Sequence, residues 1–123
     1  MTKTNSVSRI AHLVLISGTL LAFGASTSPS HAATANCAPA DVTVFNDRIH
    51  VRCIDKTTDG ANAIYFFAVP TTDATRANRF MTMAMSALVS GRRVVINFTS
   101  GASGASYGCQ VADCRPVDFF GIQ

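Results

Sequence analysis

Few side chains in this 123-residue sequence could do chemistry: four cysteines, three histidines and seven aspartates, with no glutamate. Nucleophilic catalysis needs a serine or cysteine beside a base, and a third group that orients the base. After the first third of the chain the only histidine is His50, which hydrophobic alternation places in a strand. The aspartates fall mostly at expected turns and caps, where this residue is common for structural reasons. We therefore predict that the protein is not an enzyme.

The first third of the chain has the pattern of a secretory signal peptide. Lys3 and Arg9 form a positive start, and an apolar run follows over residues 10–25. Cleavage after Ala32 fits best, and a site after Ala35 would serve nearly as well. The apolar run is shorter than a bilayer span, so we expect no stable membrane anchor.

Removal of residues 1–32 leaves one exported domain, residues 33–123, which is periplasmic or secreted. It also removes two basic residues, so eight basic residues oppose seven aspartates and the formal net charge falls from +3 to +1. Phosphate binding needs a clustered basic face, and here the only cluster is Arg92 and Arg93. We expect no nucleic-acid partner.

All four cysteines lie in the exported part, and an even number in a small secreted domain indicates two disulfides. A hairpin that turns at residues 46–47 would bring Cys37 beside Cys53 on the neighbouring strand. Cys109 is then left to bond with Cys114. Zinc is the competing interpretation, but the sequence has no Cys-x-x-Cys pair, so we predict no metal ligand and no cofactor.

The exported part is organised around a strand, a helix and a second strand. Short runs of β-branched and aromatic residues bounded by proline or glycine predict strands over residues 64–70 and 93–98. Asp73 can cap the first turn of a helix and Gly91 can end it. We therefore expect a helix of about 17 residues that ends at Ser90.

Steps of 100° per residue divide this helix into two faces. The expected core stripe consists of Ala74, Ala77, Met81, Ala84, Met85 and Leu88. The opposite face has no acid and is partly apolar; it consists of Arg76, Arg79, Phe80, Met83, Ala87 and Ser90. A second partly apolar face indicates contact with a neighbouring subunit. Alternatively, Phe80 lies on the flank of a broad core stripe and Met83 alone is exposed.

Weaker patterns predict the other segments. Residues 41–45 and 48–55 have the pattern of a strand pair, and alternation in the second strand points His50 outward. The remaining segments are a polar turn, a mobile loop of small residues and a final strand, over residues 56–60, 99–108 and 115–122.

Three strands, a helix and two strands make a mainly β domain with one helix, of the α+β class. This is the order of a small five-stranded Greek-key OB-fold barrel, with the helix between strands three and four. A sandwich of three strands and a helix with irregular ends would give much the same local patterns.

The later part of the chain resembles the B subunits of pentameric bacterial toxins, especially those of subtilase cytotoxin and typhoid toxin. The resemblance is carried by an apolar strand at residues 65–69, a helix ending in a Ser-Gly step, a Val-rich strand at residues 93–98 and two cysteines near the C-terminus. Cys53, which precedes an Ile-Asp pair, is similar to the family's strand cysteine. The N-terminal stretch does not match the family's glycan-contacting positions, so no ligand-binding residue is assigned.

This resemblance implies an exported, non-catalytic subunit that forms a ring homo-oligomer, a pentamer, and recognises a glycan or a surface receptor. Such a ring could carry a catalytic A-type subunit. The expected oligomer face is the helix surface formed by Arg76, Arg79, Phe80, Met83 and Ala87. The alternative is a monomeric periplasmic binding or inhibitor module with an OB-like fold and no toxin partner, which uses residues 99–108 as its contact.

Overall fold

The structure is a computed structural model that describes residues 30–123. In chain order its elements are β1 (Ala32–Cys37), β2 (Pro39–Val44), β3 (Arg48–Asp59), β4 (Asn62–Pro70), α1 (Ala74–Ser90), β5 (Val94–Thr99), β6 (Cys114–Pro116) and β7 (Phe119–Ile122). The predicted mainly β, α+β class is confirmed. Residues 1–29, which hold most of the predicted signal peptide, lie outside the described residues, so that peptide stays a prediction.

The seven strands form two sheets. One sheet has the order β1-β5-β7 and is antiparallel throughout. The other has the order β2-β3-β4-β6, in which only the β4 and β6 pair is parallel. Within residues 30–123 these sheets do not join into a closed barrel. None of the helices in that part of the chain has both the length and the apolar character needed to cross a membrane.

β1 is a strand that the sequence patterns do not predict. Its alanines, threonine and asparagine favour strand only weakly, and the strand forms because it pairs with β5 from Ala32 opposite Thr99 to Cys37 opposite Val94. Cleavage after Ala32 would preserve most of this pairing, whereas cleavage after Ala35 would remove four of the six residues of β1.

The predicted final strand, residues 115–122, is divided between the two sheets. Val117 and Asp118 interrupt it: the Val117 N–H donates to the Ala68 carbonyl of β4, and the Asp118 N–H donates to the Asn97 carbonyl of β5. These bonds hold β6 against one sheet and β7 against the other. The prediction of a single strand over residues 115–122 is therefore wrong, because the chain crosses from one sheet to the other at Val117 and Asp118.

The core lies between α1 and the two sheets, and both predicted disulfides are present. Phe67 and Phe98 are fully buried there, with ring centroids 5.5 Å apart. The Cys37–Cys53 bridge joins β1 to β3 and thereby links the two sheets. The Cys109–Cys114 bridge closes a short loop before β6.

β3 is longer than predicted. The strand continues through the expected polar turn and ends at Asp59, with a tight turn at Gly60, whose φ is 60°. A change of pairing register between Arg52 and Thr57 allows this extension. β-Branched threonines in the extra segment favour strand, so the polar composition of residues 56–60 did not indicate a turn over their whole length.

Residues 99–108 form the predicted loop of small residues, and hydrogen bonds anchor part of this loop to the rest of the fold. The buried Asp59 carboxylate accepts bonds from the Ser100 hydroxyl, the Gly101 N–H at 2.9 Å and the Arg115 guanidinium. Further along, a short 3₁₀ helix spans Ala105–Tyr107. Small residues indicate a loop here, but the carboxylate that holds this loop lies 41 residues before Ser100.

The Asp59 carboxylate makes the fold sensitive to acid. Burial raises the pKa of Asp59, but the hydrogen bonds from Gly101, Ser100 and Arg115 outweigh burial and lower this pKa to about 2, below the ordinary value of 3.8. The stability that this group contributes is therefore present above pH 3.8 and is lost as the pH falls through about 2.

We expect the free energy of unfolding, measured by urea denaturation, to decrease between pH 4 and pH 2. Asp59→Asn removes the titrating group, so its pH dependence over this interval should be shallower than that of the wild type. Parallel curves for the two proteins would contradict the role of Asp59.

Candidate binding surface

α1 begins and ends where the sequence predicts. The Asp73 carboxylate accepts a bond from the Arg76 N–H at 3.0 Å, which satisfies one free donor of the first turn. Gly91 takes a left-handed conformation, with φ 68°, and its N–H bonds to the Ala87 carbonyl. These two caps fix where α1 starts and stops, and contacts with the core fix its rotation about its axis.

The rotation of α1 differs from the predicted one. The buried positions are Ala77, Phe80, Ala84 and Ala87, whereas Met85, expected in the core, is 43% exposed. The large Phe80 ring decides this, because it packs edge-on against Phe120 with centroids 5.0 Å apart. Burying this ring removes more apolar surface from water than burying alanines does.

Phe80 and Ala87 were expected on an oligomer face, and for these two residues the prediction is wrong. Both have no exposed surface within a single chain, so neither can contact a neighbouring subunit. The alternative of a broad core stripe that includes Phe80 is the correct one for this residue. Arg76, Arg79 and Met83 remain at the surface.

These three residues line an open groove of about 920 Å³ between α1 and β7, which we call the α1–β7 groove. One wall is the helix face next to the core stripe, and the other is the last strand. The groove is lined by Asp73, Thr75, Arg76, Asn78, Arg79, Thr82, Met83, Ser86, Asp118, Phe119, Phe120 and Ile122.

Arg76 fixes the two walls of the groove relative to each other. Its guanidinium donates to the carbonyls of Val117 and Asp118, at the turn into β7; the second bond is 2.9 Å long. Between the walls, Phe120 rests on Phe80 and forms part of the groove floor. The shape of the groove is therefore fixed by contacts between α1 and β7.

The groove combines apolar area with a polar rim. Phe119 points away from the core and is 68% exposed. Met83, which is partly buried, and Ile122 line the same groove. Arg79 forms no ion pair with any residue that the structure describes. The Asp118 carboxylate accepts a bond from the Thr99 hydroxyl at 2.8 Å. Such a surface can bury side chains of a partner and bond to its polar groups.

β7 also leaves one side of its sheet open. It is the last strand in the order β1-β5-β7 and pairs only with β5 among the described strands. Its outer edge therefore presents unpaired backbone donors and acceptors, and such edges pair readily with other chains.

A second cluster surrounds His50. Its Nε2 lies 3.8 Å from Sγ of Cys114 and accepts a bond from Nε of Arg48 at 3.2 Å. The imidazole lies between the rings of Phe45 and Phe66, with centroids 5.4 and 5.9 Å away. Burial lowers the pKa of His50, and the Arg48 charge lowers it further against the opposing effect of nearby aspartates. His50 is half-buried rather than simply exposed as expected.

Sequence patterns missed this cluster because a long-range pairing creates it. β6 lies parallel to β4, with Phe66 opposite Cys114, and His50 lies on the adjacent strand β3. His50, Cys109 and Cys114 are the one group of three potential metal-binding side chains within residues 30–123. Both sulfurs are bonded to each other in this state, so neither is a thiol ligand or nucleophile.

The sequence identified the helix side of the α1–β7 groove through Arg79 and Met83. It missed the strand side, because a single final strand gave no reason to place Phe119 beside α1. What the groove and the His50 cluster do has to be inferred from their geometry, since no protein-family model, curated protein or solved structure matches this chain.

Proposed function

We propose that this chain is an exported, non-catalytic binding subunit that assembles with copies of itself through the α1–β7 groove and recognises a glycan or a surface receptor. The observation that carries this proposal is the groove itself, with an apolar floor, a polar rim and an open sheet edge beside it. The ring assembly and the glycan or receptor ligand come from the resemblance to toxin B subunits.

The strand order supports an OB-like domain. Only Ala38 separates β1 from β2, and only Val117 and Asp118 separate β6 from β7. If each pair counts as one bent strand, the domain has five strands with α1 between the third and the fourth. Each of these strands then has two neighbours, which is the circuit of a small Greek-key barrel.

A second copy of the chain suits the groove better than an unrelated partner does. The rim carries Arg79 without an ion-pair partner, and it also carries the carboxylates of Asp73 and Asp118. With charges of both signs on the rim, the α1 side of the groove in one copy can meet the β7 side of the groove in the next copy. A contact between two different parts of the same surface closes into a ring if the rotation allows it.

The apolar residues give this contact its stability. Phe119 is largely exposed and Met83 is partly exposed in the single chain. Burying both at each contact would contribute on the order of 2–4 kcal/mol per subunit at about 25 cal/mol per Å². The open edge of β7 would be covered by the same contact, which protects it from unspecific pairing.

Met83→Glu tests this surface. It introduces a charge that has to be desolvated at every subunit contact, so we expect the assembly to dissociate at micromolar concentration. Light scattering gives the molar mass of wild type and variant. The matched control is Val89→Glu, because Val89 also lies on α1 but is 84% exposed and does not line the groove.

The expected result is an oligomer for wild type and Val89→Glu, and a monomer for Met83→Glu. A variant that assembles unchanged would show that copies meet elsewhere. A monomeric wild type would contradict the ring assembly and favour a second candidate function, a monomeric binding module.

That candidate is a monomeric binding or inhibitor module that uses residues 99–108. One observation favours it: this loop is held in place by bonds from Ser100 and Gly101 to Asp59. A contact loop that is already ordered loses less conformational entropy on binding. In this case, substitutions in the loop should abolish ligand binding, whereas Met83→Glu should leave it unchanged.

A further inference from the structure

We propose that reduction of the Cys109–Cys114 disulfide converts the His50 cluster into a zinc site, with His50 Nε2 and the two thiolates as ligands. The site is independent of the α1–β7 groove. It would allow the fold to take up a thiophilic divalent ion only under reducing conditions.

The ligand atoms are already close enough. The donor atoms of His50, Cys109 and Cys114 all lie within 4.8 Å of one another, and Nε2 of His50 is 3.8 Å from Sγ of Cys114. Tetrahedral zinc with ordinary bond lengths separates a nitrogen and a sulfur ligand by about 3.5 Å and two sulfurs by about 3.8 Å. Breaking the S–S bond would therefore require mainly that the two sulfurs move apart.

The imidazole is presented in the form that a metal requires. Nε2 accepts a hydrogen bond from Arg48, which identifies it as the unprotonated ring nitrogen. Phe45 and Phe66 hold the ring orientation. On metal binding, the ion would replace the Arg48 donor at Nε2.

Arg48 would favour the thiolate form of the reduced cysteines. Its guanidinium lies against the backbone of Gly108, where an added Cβ would be only 2.6 Å from Nη1. Gly108 is bonded directly to Cys109, and cations beside a cysteine favour its thiolate, although Arg48 also pairs with the Asp47 carboxylate at 2.8 Å. A substitution at Gly108 would displace this arginine.

Both cysteines are buried, and a small pocket lies on the His50 and Cys114 side of the site. A pocket of about 220 Å³ is lined by His50, Cys114 and Gly108, and also by Gln110 and Asp113. Three protein ligands and a water in the fourth position form an ordinary open zinc geometry. The pocket provides the path for the ion and the room for this water.

The chemistry balances with a dithiol as reductant. The dithiol supplies two electrons and two protons, its own sulfurs form a disulfide, and Cys109 and Cys114 become thiols. Zinc then forms two Zn–S bonds and one Zn–N bond, and the two thiol protons are released to water. Two thiolates and Zn²⁺ sum to zero charge, so the site buries no net charge.

The test uses the full exported domain, residues 33–123, reduced with a dithiol and freed of it without oxygen. Titration with Co²⁺ should give the visible absorption of tetrahedral cobalt with thiolate ligands, at one ion per chain, and Zn²⁺ should displace it. The oxidised protein should give no such absorption. Far-UV circular dichroism reports whether the reduced chain is folded.

Two variants separate this site from binding by any free thiol. His50→Asn should weaken zinc binding by at least about tenfold, and Cys109→Ser with Cys114→Ser should abolish it. Because the dithiol can also reduce Cys37–Cys53, the double variant is compared with the wild type: unchanged affinity in His50→Asn, or cobalt–thiolate absorption as strong in the double variant as in the wild type, would overturn the proposal. A reduced wild type that binds no ion, folded or unfolded, would also overturn it.

Discussion

Replacing Arg115 by leucine is expected to lower the free energy of unfolding by about 3–5 kcal/mol. The Arg115 side chain has no exposed surface, and its Nε donates to the Asp59 carboxylate, whose side chain is 5% exposed. Without the arginine, Asp59 would stay buried as a charge with only its bonds to Ser100 and Gly101. Urea denaturation of the oxidised protein at neutral pH measures this loss.

Arg52→Leu is the matched control. Arg52 pairs with Asp41 at 2.6 Å, but both side chains are about half exposed, so we expect a change below about 1 kcal/mol. The double variant Asp59→Leu with Arg115→Leu removes both buried charges and should be more stable than Arg115→Leu alone. Equal losses for Arg115→Leu and Arg52→Leu would contradict the assigned role of the buried pair.

Removal of the Cys37–Cys53 bridge, as Cys37→Ala with Cys53→Ala, is expected to lower stability by about 3 kcal/mol. The bridge closes a loop with a sequence separation of 16, and the loss follows from the larger conformational freedom of the unfolded chain. It also joins β1 to β3, so the terminal strand should detach first. Thermal unfolding should show a midpoint lower by on the order of 12–24 °C.

The Cys109–Cys114 bridge provides the comparison. Its sequence separation is only 5, so removing it should cost about 2 kcal/mol, less than the first bridge. It lies within one loop and does not link the sheets. A larger loss for this pair, or an unchanged midpoint without Cys37 and Cys53, would contradict the importance of the link between sheets.

The parts of the fold that short-range patterns determine were predictable. Asp73 and Gly91 mark the ends of α1 because capping depends on a few adjacent residues. The hairpin that turns at residues 46–47 places Pro39 opposite Cys53, so that Cys37, two residues before Pro39, lies close enough to Cys53 to form the bridge.

Features that depend on distant partners were not predictable. β1 is a strand because β5 pairs with it, and the face of α1 that is buried depends on Phe120, 40 residues after Phe80. His50 approaches Cys114 only through the parallel pairing of β4 with β6. A helical wheel predicts the buried face from residue spacing alone, whereas in the folded chain burial also depends on which side chain fills the space beside the sheets.

The mass of the oxidised wild-type domain in solution tests the proposed self-association through the α1–β7 groove most directly. Sedimentation equilibrium at several micromolar concentrations determines this mass without assumptions about shape. We expect the mass of a closed ring, with five chains by the resemblance to toxin B subunits, that does not grow further as concentration rises. A mass of one chain at every concentration would contradict the proposal.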